Sequence, residues 1–109
     1  MLRGIPFEEK KRQIVELARA LIDGRIHAIE GSQRLCGLFH ELDDPACREL
    51  HKPFIAIASE TDHLPLGEFR GFCAPEFLRK ADSEIEEYLA VKGPSIVEAC
   101  RRVVTALAS

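Results

Sequence analysis

No uninterrupted apolar run in this 109-residue chain approaches the ~18 residues that a membrane-spanning helix needs, so the membrane is not an expected partner. The opening residues, Met1 to Phe7, hold no apolar h-region and run straight into Glu8, Glu9 and Lys10, which makes the cytoplasm the expected compartment. Cysteine occurs at Cys36, Cys47, Cys73 and Cys100, but never as a C-x-x-C pair. That spacing argues against structural zinc and predicts reduced, small core side chains. Neither a G-x-x-x-x-G-K nor a G-x-G-x-x-G phosphate loop is present. No nucleophile sits on a sharp glycine-flanked turn and no oxyanion loop is evident, so the chain is read as non-enzymatic. A basic stripe with interleaved aromatics is missing too. Net charge is −3, and the one basic run, Lys10-Lys11-Arg12, follows Glu8-Glu9 as a solvated helix face. Nucleic acid is therefore not the expected partner. Repeats, low-complexity tracts and long linkers are lacking as well.

What the chain does have is apolar residues, 46% of it, recurring at helical spacing. Phe7, Ile14, Leu17, Ala18, Leu21 and Ile22 form one stripe, opened by Pro6 and closed by Gly24. A second helix is expected over about residues 26–42, with Ile29, Leu35, Leu38, Phe39 and Leu42 inward. Gly31 and Gly37 weaken it by roughly 1 kcal/mol each relative to alanine. Such glycines permit close helix approach; alternatively, Gly31-Ser32 is a break with Ser32 as a cap. Asp43-Asp44-Pro45 reads as a turn. Beyond it Pro53 divides a short turn from a buried helix over residues 54–58. That run is β-branched enough for a strand, but no second strand candidate exists to pair with it. Pro75 opens a helix carrying Phe77, Leu78, Ala81, Ile85, Tyr88 and Leu89 inward, with a possible restart at Asp82 or Ser83. Gly93-Pro94 breaks it, and a capping box at Ser95-Ile96-Val97-Glu98 leads a last helix. The expected fold is one all-α domain over residues 1–109, a compact bundle of about five helices.

Chemistry-bearing residues concentrate at Ser59-Glu60-Thr61-Asp62-His63-Leu64-Pro65-Leu66-Gly67, where the helical pattern stops. Glu60 and His63 have the E-x-x-H spacing of carboxylate-bridged di-metal bundles, but no second copy accompanies them. His40, Glu41 and His51 are candidate extra ligands. A metal- or ligand-binding regulator built on Glu60, Asp62 and His63 is the alternative reading. The architectural reading has Ser59 or Thr61 bonding a helix-terminal backbone group, Asp62 capping the turn, and Glu60 or Asp62 pairing with Arg70. In that reading Arg70→Ala destabilises the fold by stranding a carboxylate. His27, His40 and His51 read as surface or capping histidines. The acidic stretch from Glu41 through Asp43 and Asp44 to Glu49 offers a face for a basic partner, or simply a solvated loop with a helix cap.

The run Ile29-Glu30-Gly31-Ser32-Gln33-Arg34-Leu35, then Asp44-Pro45, then Phe54-Ile55-Ala56-Ile57 leading into residues 59–67 and Arg70, resembles a family of small bacterial proteins without assigned function. The resemblance spans residues 14 to 105 and centres on Ser-Glu-Thr-Asp-x-Leu-Pro. In similar sequences an aromatic, usually tryptophan, follows the arginine by a few residues; here Phe72 stands near that place. The resemblance implies a single-domain accessory protein, similar in size and character to immunity proteins that neutralise a toxin made by a neighbouring gene. It supplies no catalytic residues. The expected function is thus a protein-binding module without cofactor, most specifically an intracellular immunity protein that occludes its toxin. Glu41, Asp43, Asp44, Glu60, Asp62, His63 and Arg70 are the expected contacts, and the oligomeric state stays open.

Overall fold

The stripe Ile14, Leu17, Ala18 and Leu21 is buried along one side of α1 (Gly4–Ile22) in a computed structural model that describes residues 4–108. The helix stops where it should. Gly24 takes φ +73°, Arg25 N–H reaches the Ala20 carbonyl (2.9 Å) and Gly24 N–H that of Leu21 (3.2 Å). This is the Schellman ending that a left-handed glycine permits.

α2 (Ala28–Leu42) is capped by a histidine. His27 Nδ1 accepts from the N–H of Ile29 (3.2 Å) and of Glu30 (3.5 Å), satisfying two donors the helix leaves open. The helix runs unbroken through Gly31-Ser32, so Ser32 is a buried mid-helix residue and not a cap. Gly31 is instead where α2 closes on α1: a Cβ there would lie 2.6 Å from Leu21 Cδ2. Gly37 faces open space. At the far end Asp43 takes φ 49° and its N–H bonds the Phe39 carbonyl (3.0 Å).

Asp44 Oδ1 then caps a 3-10 turn (Pro45–Cys47) through Ala46 N–H (3.0 Å). α3 (Arg48–Thr61) starts ahead of Pro53 and passes through it. Pro53 lies near the helix start and forfeits only the bond to the Glu49 carbonyl. A second 3-10 segment (Gly67–Phe72) leads to α4 (Pro75–Leu107). The break expected at Gly93-Pro94, with a fifth helix after it, does not occur. Ile85, Leu89, Ile96, Cys100 and Val103 stay in helical phase across the proline, and a continuous helix is what keeps them on one face. Proline in a helix interior is disfavoured by about 3 kcal/mol, yet here burial of the second half of α4 against α1 outweighs it. At 33 residues α4 is about 50 Å long and matches the 52 Å long axis of the molecule.

The fold is therefore an all-α bundle, with no strand among the described residues. No helix among them is long and apolar enough to cross a membrane. The main core lies between α1, α2, α3 and the C-terminal half of α4. A smaller cluster, Ile29, Leu64 and Ile85 with Leu66, Tyr88 and Leu89 beside it, sits under the α3–α4 connection. All four cysteines are free thiols. Burial pushes the Cys100 thiol up to about 12 and raises those of Cys36 and Cys47, which keeps them protonated and unreactive.

One core edge carries a pH signal. The His51 ring stacks on Phe39 (centroids 5.4 Å), and its Nε2 donates to the Cys36 carbonyl (3.1 Å). Desolvation holds the imidazole below the usual histidine range; the Cys36 carbonyl opposes that shift and His40 adds to it. A depressed pKa in the folded state means that the unfolded chain takes up the proton first, so stability falls on acidification below ~6.5. The melting temperature of His51→Gln should consequently decline less between about pH 7 and pH 5.5 than that of the parent. Parallel declines would show that His51 protonates as freely in the fold as in the unfolded chain.

Candidate functional site

The end of α3 is tied down before the chain turns. Thr61, fully buried, donates from Oγ1 to the Ile57 carbonyl (2.7 Å). It accepts from Gln33 Nε2 at Oγ1 (3.0 Å) and at its own carbonyl (3.2 Å), fastening α3 to α2. The expected helix-terminal hydroxyl is thus Thr61. Leu64 N–H returns to the Thr61 carbonyl (3.1 Å), and Leu64 and Pro65 sink into the molecule. Gly67 follows at φ +57°, and a Cβ on it would stand 3.0 Å from Glu30 Oε1.

From there three polar links bind the connection to α4. Glu60 Oε1 accepts from the Tyr88 hydroxyl (2.7 Å). His63 Nε2 meets both oxygens of Glu84 (3.0 and 3.1 Å), with Asp62 Oδ1 4.0 Å from its Nδ1. Arg70 makes a two-pronged bond to Asp82 (2.8 and 2.9 Å) and a longer one to the Pro65 carbonyl (3.4 Å). The pairing of Arg70 with Glu60 or Asp62 is therefore corrected: its carboxylate is Asp82, which lies within α4. The Arg70 guanidinium holds the Asp82 carboxyl below the usual range. The Tyr88 hydroxyl is raised, first by burial and then by its bond to Glu60. Asp82 is half-exposed and stays hydrated, so removing Arg70 strands no buried charge.

Glu60 and His63 are engaged separately, one with Tyr88 and the other with Glu84. Among the described residues, no three histidine, cysteine, aspartate or glutamate side chains converge on a metal position. His40 lies edge-on to His51 at 6.4 Å, while Glu41 turns to Lys10 (2.6 Å). The acidic stretch is likewise committed locally. Asp43 ends α2, Asp44 caps the following turn, and Glu49 pairs with Lys52 (2.9 Å).

The surface that stands out is apolar. Phe69 is 62% exposed, Phe72 85% and Phe77 50%. They lie within nine residues, on the 3-10 segment and the first turn of α4. Phe77 also lines a cleft of about 550 Å³ with His63, Leu64, Pro65, Lys80, Ala81 and Glu84. Helical spacing places Phe77 inward, whereas it is half-exposed, and Phe72 is the aromatic that follows Arg70. The available signal was density: half of the six phenylalanines fall where no helical stripe can absorb them all. Three exposed phenylalanines this close along the chain are a feature that docking surfaces share. No protein-family model matches this chain, and no curated protein or solved structure shows significant similarity to it.

Proposed function

We propose that this chain is a protein-binding module whose partner docks on the corner made by Gly67–Phe72 and the first turns of α4. The observation that carries the reading is the exposure of Phe69, Phe72 and Phe77 within nine residues, on a segment tied down by the Glu60–Tyr88, His63–Glu84 and Arg70–Asp82 links. Aromatic anchors contribute a large share of interface energy, and a pinned backbone loses little further freedom on binding. Glu60, His63 and Arg70 then act chiefly as buttresses behind the contact surface. The specific role we assign is that of an immunity protein that occludes a toxin encoded by a neighbouring gene. Small size, a single helical domain and the resemblance carried by residues 59–67 support that assignment.

The test is co-expression with the protein encoded next door, scoring co-elution and relief of growth arrest. Phe69→Ser and Phe72→Ser should each weaken the complex at least ~10-fold, with helix content and melting temperature unchanged. Two variants that bind as tightly as the parent would place the interface elsewhere. Absence of both complex and toxicity would remove the immunity role.

A further inference from the structure

We infer that residues 62–92, the α3–α4 connection with the first half of α4, unfold as one unit while the rest of the bundle stays folded. Ser95 and Glu98 then cap the half of α4 that remains. Pro94 lies inside α4 and has no N–H to give the Ala90 carbonyl, so the helix is weakest there. Directly after it, Ser95-Ile96-Val97-Glu98 has the spacing of a capping box. In the folded molecule that box is idle: Ser95 is an exposed mid-helix residue, and Glu98 lies 3.7 Å from Arg102. Residues suited to starting a helix become useful only when the turns before them are gone.

Packing divides the molecule at the same place. Ile96, Ala99, Cys100 and Val103 belong to the main core, whereas Ile85 joins the satellite with Ile29 and Leu64. Buried polar residues mark the boundary on the other two helices. Ser32 stands between Ile29 and Leu35 on α2, and Thr61 between Ile57 and Leu64 at the end of α3. Ser32 Oγ is buried with no hydrogen-bond partner among the described residues, which weakens cohesion across the seam. Inside the unit, the His63–Glu84 and Arg70–Asp82 links and the shared cluster of Leu64 and Ile85 make its parts open together. Outward it is held by Ile29, by the Glu60–Tyr88 bond, and by Tyr88 and Leu89, which flank both clusters. That hold is slight, and residues 75–92 without a core beneath them draw little stability from helix propensity alone. The radius of gyration, 14.9 Å against roughly 13 Å for a compact chain of this length, reflects the same projection of α4 beyond the core. Because the phenylalanine corner lies inside the unit, its surface forms and is lost with the unit as a whole.

Hydrogen exchange of the full chain, read amide by amide by NMR under native conditions, tests this. Amides of residues 79–90 should share one opening at least ~10-fold more frequent than that of residues 99–104. Ile14→Val should speed exchange at 99–104 about 5-fold and leave 79–90 at the parent rate, because the fully buried Ile14 stays packed when the unit opens. Ser95→Ala should slow residues 79–90 at least ~3-fold more than 99–104, since it removes a cap that only the opened state uses. A common rate along α4, rates that grade steadily inward from Pro75, or equal responses of both halves to either substitution would overturn the inference.

Discussion

Phe54→Ala should unfold about 3–5 kcal/mol more readily than the parent. Phe54 is fully buried and heads the largest side chains of the core. Its ring stacks on Phe39 at 6.1 Å between centroids, and Phe39 in turn stacks on His51, so one truncation strips a face from a row of three rings. The resulting void opens where α3 meets α2, and those helices hold each other through this row. Domains of this size commonly have ~5–15 kcal/mol in hand, so a large fraction of the stability is at stake. The corresponding fall in melting temperature is on the order of 15 °C. Urea titration of both proteins measures it directly; a loss below about 1 kcal/mol would mean that α3 is not anchored through Phe54.

Gly31→Val should destabilise by about 2–3 kcal/mol, even though valine is a better helix former than glycine. A Cβ at position 31 would stand 2.6 Å from Leu21 Cδ2 and 2.8 Å from Cγ. Leu21 is itself buried, so it has no solvent to swing into. The two helices must then separate or Leu21 must leave its rotamer. Gly37, on the same helix, meets nothing within 4 Å, and Gly37→Ala should stabilise by ~0.5–1 kcal/mol through helix propensity alone. Opposite signs at the two glycines are the signature of close approach at Gly31. A gain at both would show that α1 and α2 do not close at that point in solution.

The parts of this fold that could be read from sequence are those fixed by neighbours in the chain. Gly24 ends α1 as expected, although the helix already runs from Gly4, ahead of Pro6, and the Asp43-Asp44-Pro45 turn falls where its residues place it. The local signals at Gly93-Pro94 pointed to a break and were overruled, because the residues that hold α4 together lie on α1. Proximity in sequence pairs Arg70 with Glu60 or Asp62, but the carboxylate that meets it is Asp82, twelve residues farther along the chain. The 77, 81, 85 series places Phe77 inward, yet it is half-exposed. Periodicity gives the face of a helix and is silent about where along its length the core ends. The first turns of α4 project past that end, and Ala81 is the first residue of the helix to be buried. Phe69, Phe72 and Phe77 escape a reading by periodicity for this reason, while Glu60, His63 and Arg70, expected from sequence as contacts, are each bonded to α4.

The separation, among the described residues, of a core cluster of fourteen buried side chains from a satellite of three bears on how this chain can change over generations. Phe69, Phe72, Phe77 and Lys80 belong to neither cluster. Under the docking role proposed above, substitutions there change the contact surface while leaving Phe54, Gly31 and Leu21 packed as before, so few of them pass through a poorly folded ancestor. A lineage obliged to follow a shifting counterpart can thus explore new specificities at four outward positions. The long-range packing that makes the scaffold is inherited intact.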